Sequence, residues 1–260
     1  MAGRAILRSH RDGYNVFVKN DGEDYWRIVL ACIRENIDQD ALMRNYPAKP
    51  DIPVSRDGLE MVLKPFVYSN PKRMVFRLDI GDRRFVLKRA RMGATGLKRF
   101  FPLAMGLSYF TRIMRFVDRA VRAGCTVAQD YFLVAERPLS AFRQEAWILL
   151  EYIDGDSLGY NAAPDELRRE LTEVVLRLVR NGLTMDDLTL HNFLVVAGRE
   201  IRAIDISCRL FTRLQAVKMI MKMNLRYGLG IPIRGVRNTI IRTILAARYR
   251  LKKAFGHEVE

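Results

Sequence analysis

The chain has 260 residues, 44 Lys and Arg against 29 Asp and Glu, a formal net charge of +15, and 49% apolar residues. That apolar content excludes a disordered chain, and the length suffices for one large domain or two lobes with cores of their own. The cysteines Cys32, Cys125 and Cys208 lie too far apart for a thiolate metal site or a disulfide framework, which fits a reducing compartment.

In chain order, the first residues, MAGRAILRSHRDGYN, lack the long apolar core of a signal peptide. Residues 23–37 read as a short helix with Trp26, Leu30 and Ile33 on one face. Pro47, Pro50 and Pro53 mark a linker or an extended edge. From Met61 the texture changes: MVLKPFVYSN, KRMVFRLD and RRFVLKRA read as strands, the last two joined by a turn at Ile80 to Asp82. In the third of these, Val86 and Lys88 share one face and Phe85 and Leu87 the other. A helical region follows, interrupted by Gly93, Gly96 and Pro102 and stopped at Gly124. DYFLVAERP and EAWILLEYI are two further strands. Pro164 opens an amphipathic helix with Leu167, Leu171, Val174, Val175 and Leu178 as its buried stripe, closed by Asn181-Gly182. The polar loop LTMDDLTLHN leads into a hairpin, FLVV and IRAIDIS, turning at Ala197-Gly198-Arg199. From Arg209 the chain reads as basic helices, and no run of about 18 apolar residues is long enough to span a membrane. This order of elements predicts a two-lobed α+β protein.

The positive charge is not spread evenly. Residues 61–120 carry 14 basic and 3 acidic groups and residues 209–260 carry 12 and 2, while residues 121–208 carry 9 and 14. Two basic blocks therefore flank an acidic middle. A protein that coats nucleic acid has little use for an acidic centre, and no nucleic-acid-binding motif is present. An enzyme that holds divalent cations with carboxylates does use one.

Within that acidic middle stand Asp187, Asn192 and Asp205. Asp187 and Asn192 are five residues apart in the polar loop, and Asp205 ends the second strand of the hairpin thirteen residues later. A hairpin brings its ends together, so the three should meet. Two carboxylates and an amide oxygen are hard ligands suited to Mg²⁺ that also holds phosphates, and a separate aspartate can accept the proton of an attacking hydroxyl. Singly, each residue also fits a blander role: Asp187 as a turn former, Asn192 at a strand entry, Asp205 at a strand end. Taken together and in order, they favour phosphotransfer. His191 reads as a loop histidine, Cys208 as a packed thiol, and Trp26 and Trp147 as core.

DDLTLHN resembles the catalytic loop of the protein-kinase-like superfamily. QDYFLVAERP, ILLEYIDGDSL, DDLTLHNFLVV with RAIDIS, and LRYGLGI resemble the lipopolysaccharide core heptose(II) kinase family. The resemblance runs from about Met61 to the C-terminus and is strongest over residues 125–207. It implies a protein-kinase-like fold with a small β-rich N-lobe over residues 61–152 and a mostly helical C-lobe over residues 153–260 that ends in a basic helical tail. Residues 1–60 are then an N-terminal extension packing on the N-lobe. It also implies ATP-dependent phosphorylation of a heptose in the inner core of lipopolysaccharide, by a cytoplasmic protein peripheral to the inner membrane of a Gram-negative bacterium. By the same resemblance Asp187 is the catalytic base, Asn192 and Asp205 hold Mg²⁺, Lys88 holds the ATP phosphates, and the main chain from Glu151 to Ile153 faces adenine.

The sequence departs from the family pattern in places. The loop carries Thr189 and His191 where the family usually has His and Gly, and the third motif is Asp205-Ile206-Ser207. YSNPKR replaces a glycine-rich loop, so Lys72 and Arg73 become candidates to hold phosphates. No acidic residue occurs from Arg91 to Val117 to pair with Lys88, and Asp118 is expected to point elsewhere. Two other readings stand beside this one: a small-molecule phosphotransferase of the aminoglycoside or choline type, which explains the triad but not the basic tail, and a membrane-associated pseudokinase, which the missing acidic partner and the altered loop support.

In the tail, Leu214, Val217, Met221 and Leu225 recur at helical spacing, as do Ile240, Ile241, Ile244 and Leu245, with lysines and arginines between them. Such helices can bury an apolar face and turn their charge outward, and the stretch from Arg234 to Phe255 is basic enough to attract an anionic membrane surface.

Overall fold

The computed structural model describes residues 6–19, 23–35, 51–56, 58–66, 73–93, 109–140, 143–159, 165–196, 200–208 and 212–254. The chain forms two units, one of residues 1–118 and 130–152, the other of residues 119–129 and 153–260.

The first unit is built on an antiparallel sheet. Its strands are β1 (Ile6–Arg11), β2 (Tyr14–Lys19), β3 (Ile52–Arg56), β4 (Leu59–Pro65), β5 (Arg73–Ile80), β6 (Arg83–Gly93), β7 (Tyr131–Ser140) and β8 (Arg143–Glu151). They lie in the order β1-β2-β7-β8-β6-β5-β4-β3. Pro53 sits in β3 at the outer edge, where a residue without an N–H costs no ladder bond. The β1–β2 hairpin is absent from the elements expected from sequence. Its signal is Asp12-Gly13, where both residues take positive φ (50° and 78°) as a two-residue turn requires.

Each face of the sheet carries a helix. Helix α1 (Glu23–Arg34) packs Tyr25, Trp26, Ile28 and Val29 into one core with Phe85, Leu87, Leu133, Trp147 and Leu149. Burying each large apolar side chain contributes about 1.5–3 kcal/mol. Beneath it the fully buried Glu145 accepts from Arg89 and Arg137, each at 2.7 Å, and from the Tyr14 hydroxyl at 3.1 Å. The alternation anticipated for β6 holds, with Phe85 and Leu87 on the α1 side and Lys88 on the other. That second face carries helix α2 (Tyr109–Arg122). Thr111 donates to Glu136 at 3.2 Å, and Asp118 pairs with Lys19 at 3.5 Å.

In the second unit, helix α3 (Asp165–Arg180) buries Leu171, Val174, Val175 and Leu178 of the expected stripe, while Leu167 is only half-buried. It packs on a small sheet ordered β11-β10-β9, formed by β9 (Asp156–Ser157), β10 (Phe193–Val195) and β11 (Ile201–Ala203). β10 and β11 are the anticipated hairpin, whose turn at 197–199 lies outside the described residues. β9 approaches β10 closely: a Cβ on Gly155 would stand 2.7 Å from the Val195 carbonyl oxygen, so only glycine fits there.

Helices α4 (Thr212–Tyr227) and α5 (Val236–Ala254) follow and pack on each other. The stripe expected for α4 needs correction. Val217 is buried, but Leu214 and Leu225 are 37% and 72% exposed, and Met219, Ile220 and Met223 are buried instead. The helix carries apolar residues on more than one side, so spacing alone does not choose the packed face. Cys32, Cys125 and Cys208 are buried and form no disulfide.

Candidate active site

Asp187, Asn192 and Asp205 converge in the second unit through main-chain contacts. The 3-10 turn Leu190–Asn192 presents Asn192, whose Nδ2 donates back to the Asp187 carbonyl at 3.1 Å. The Asn192 carbonyl in turn accepts from the Ile204 N–H at 2.9 Å, beside Asp205. The hairpin register, with Phe193 opposite Ala203, makes that bond possible. Thr184 and Ser207 exchange backbone hydrogen bonds of 3.1 and 2.7 Å and close the loop from outside. Buried Leu188 and Leu190 anchor it, while the Asp186 and Asp187 side chains are exposed.

Asp205 adopts φ 55°, a left-handed conformation that short polar side chains tolerate better than other non-glycine residues. Such strain persists where surrounding structure fixes it, and here the Asn192–Ile204 and Thr184–Ser207 bonds bracket the residue. The donor set suits a hard cation. The Asn192 amide nitrogen is engaged with Asp187, which leaves its oxygen as the end to offer a metal, and Asp205 supplies a carboxylate. Among the described residues no group of three or more His, Cys, Asp or Glu forms a metal cage. Mg²⁺ in phosphotransfer sites takes few protein ligands and fills the rest with phosphates and water.

Several supports of the loop were not anticipated from sequence. The Tyr227 hydroxyl, at the end of α4, donates to the Leu188 carbonyl at 2.9 Å. Asn224 holds that end in shape, its side chain donating to the Ile231 carbonyl and accepting from the Ile231 N–H, both at 2.8 Å. These residues lie within or beside LRYGLGI, so the signal was the motif itself, without its contacts. His191 Nδ1 meets Ser157 Oγ at 3.0 Å and ties β9 to the loop. Lys222 of α4 is half-buried. Its pKa is lowered by that burial and by the neighbouring cations Lys218 and Arg226, while Asp187 and Asp186 oppose the shift.

Lys88, Glu151 and Ile153 are placed by other elements. Lys88 lies half-buried on the α2 face of the sheet, in a row with Ile148 and Val134. Glu136, 3% exposed, stands on the same face, in the next row with Ala146 and Ala90. Strand β8 runs between them, with Ile148 and Ala146 on that face. The Glu151 N–H donates to the Asp130 carbonyl at 3.0 Å, and the Asp130 N–H to the Glu151 carboxylate at 3.1 Å. The Glu151 N–H is therefore committed to the fold. Asp130 also takes the Lys19 ammonium at 2.7 Å, so the β1–β2 hairpin braces the end of β8. Ile153 is buried at the start of the second unit, followed by exposed Asp154 and Asp156. Lys72 lies outside the described residues, as does the Arg73 side chain.

The model of the lipopolysaccharide core biosynthesis protein (WaaY) family matches residues 63–253. The lipopolysaccharide core heptose(II) kinase WaaY of Escherichia coli strain K12 is 26% identical over 161 residues, covering 62% of this chain and 69% of that protein. A second Escherichia coli protein of the same name is 25% identical over 182 residues, covering 69% and 78%. A crystal structure of the BubR1 kinase domain aligns with a TM-score of 0.36 at 13% identity, over 68% of this chain and 58% of that one. The match to the family model defines a protein of lipopolysaccharide core biosynthesis. The chain belongs to the WaaY family.

Proposed function

We propose that the chain is a sugar kinase that transfers the γ-phosphate of ATP to a heptose of the lipopolysaccharide inner core, on a protein-kinase-like fold. The observation that carries this reading is the cluster of Asp187, Asn192 and Asp205 joined through hydrogen bonds of 3.1 and 2.9 Å. Asp187 accepts the proton of the acceptor hydroxyl as its oxygen attacks the γ-phosphorus and the bond to the β-phosphate breaks, releasing ADP. Asn192 and Asp205 are the residues that would hold Mg²⁺, which neutralises phosphate charge when bound. Lys88 orients the α- and β-phosphates, with Glu136 on its own face fitting the part of carboxylate partner that the segment from Arg91 to Val117 does not supply. The main chain of Glu151 to Ile153 receives adenine, Glu151 through its carbonyl.

The acceptor is lipid-linked, so we place the protein at the cytoplasmic surface of the inner membrane. No helix among the described residues is long and apolar enough to cross a membrane. Helix α5 exposes Ile240 and Ile244, at 53% and 61%, beside exposed Arg242. That pairing of apolar and basic groups suits the interface of an anionic bilayer. The test of function is complementation. Expression in a strain lacking its heptose(II) kinase should restore one phosphate per core oligosaccharide by mass spectrometry. A core left at the mass of the deletion strain, with the protein expressed and folded, would refute the reading.

A further inference from the structure

Lys218, Lys222 and Arg226 stand four residues apart along α4, so they form one row on the helix. The adjoining row is Met219, Met223 and Tyr227. Both methionines are buried, and Tyr227 reaches the carbonyl of Leu188, the residue after Asp187. The cation row therefore borders the side of the helix that is hydrogen-bonded to the loop, and Lys222 lies close enough for its ammonium to feel the carboxylates of Asp187 and Asp186.

Stability does not explain this arrangement. Like charges at this spacing destabilise a helix, and the partial burial of Lys222 adds to that cost. Such a row is suited to an incoming dianion, which satisfies several cations at once through charge-assisted hydrogen bonds. Asp187, as the base, must meet its substrate at a loop whose two carboxylates repel anything anionic. Cations alongside offset that repulsion.

We propose that Lys222, flanked by Lys218 and Arg226, binds a phosphate dianion immediately beside Asp187. The proposal rests on the kinase reading for the role of Asp187. The dianion has two sources: an anionic group already carried by the acceptor, or the phosphoryl group in transfer.

The test uses the full chain with Lys222→Gln, Lys222→Arg and Lys218→Gln. Binding of inorganic phosphate is followed by calorimetry, and steady-state kinetics with core oligosaccharide as acceptor. Lys222→Gln should weaken phosphate binding about 10-fold or more, as expected when a charge-assisted hydrogen bond is lost. Lys222→Arg should recover part of it, and exposed Lys218→Gln should show a smaller loss. If the acceptor carries the dianion, acceptor KM rises by more than kcat falls, and nucleotide hydrolysis without acceptor is affected less than transfer. If the dianion is the phosphoryl group in transfer, kcat falls for transfer and for hydrolysis alike. Either pattern supports the row. Lys222→Gln with phosphate affinity and kinetic constants all within about twofold of the parent overturns it. A parent that transfers no phosphate refutes the kinase reading instead. In that event, binding of inorganic phosphate that Lys222→Gln abolishes still supports the row, and unaltered binding overturns it.

Discussion

At the scale of single residues, the account turns on Asp187 and Asp205, which share a loop but are assigned different work. Asp187 is exposed, and its side chain is available to an acceptor hydroxyl. Asp187→Asn should lower turnover by about 10²-fold or more while nucleotide binding survives, because a general base does not hold ATP. Equal turnover in variant and parent would remove Asp187 from that role. Asp205 is constrained twice, by its assigned ligand and by its φ of 55°. Asp205→Ala and Asp205→Gly should both lose the Mg²⁺-dependent rise in melting temperature given by ATP analogues. The two should differ without nucleotide: glycine accepts the left-handed backbone freely, whereas alanine adds about 1 kcal/mol of strain. A lower melting temperature for the glycine variant than for the alanine variant would contradict the strain, and an Mg²⁺ effect that persists in both would move the metal elsewhere. The residue types and their spacing made this cluster legible in the sequence, because a hairpin must return its end to its beginning. The left-handed Asp205, the Tyr227 support and the position of Lys222 were not legible. Each depends on a tertiary contact between segments that no local pattern records.

At the scale of elements, the sheet separates structure from chemistry by alternation. Its α1 face holds an apolar core and the buried Glu145, and its α2 face holds Lys88, Lys19 and Glu136. Burial alone would raise the Glu145 pKa, but Arg89 and Arg137 outweigh it and hold the carboxyl below its usual range. A depressed folded-state pKa means that this stabilisation is present above the unfolded value near 4.5 and is lost as pH falls toward the lower folded value. Glu145→Gln should therefore cost about 1–3 kcal/mol at neutral pH, since it leaves the half-buried Arg89 and Arg137 without their carboxylate. Thermal melts of parent and variant from pH 7 to pH 3 should show the gap closing below about 4.5. A gap independent of pH would show that the carboxylate charge is not what stabilises. The strands from Met61 onward were readable because apolar and polar residues alternate within them and turn residues separate them. The β1–β2 hairpin was not anticipated, although Asp12-Gly13 signals it, and β9 is two residues long and too short for any period to show. The packed face of α4 was misjudged because its apolar residues occupy more than one side.

At the scale of the whole molecule, the family resemblance read from four strings agrees with a family match that begins at residue 63, close to Met61. The acidic middle of the chain supplies the candidate site, and the basic C-terminal block lies on helices α4 and α5. Each Lys or Arg near an anionic bilayer contributes about 1 kcal/mol, so part of the tail is enough for reversible binding. The protein should co-sediment with vesicles containing anionic lipid at low salt and detach as salt rises. Reversing the charge of Arg248, Arg250, Lys252 and Lys253 together should release it while nucleotide binding is kept. Equal binding to neutral vesicles, indifferent to salt, would contradict this. The central claim is narrower: the chain moves phosphate from ATP to a core heptose. The most direct measurement is transfer from γ-labelled ATP, by the purified protein with Mg²⁺, to lipopolysaccharide precursors from a kinase-deleted strain. The account predicts label in a heptose phosphate with the parent and a loss of about 10²-fold or more with Asp187→Asn. Folded parent protein that leaves all label in the nucleotide, or that labels the core equally well after Asp187→Asn, would contradict it.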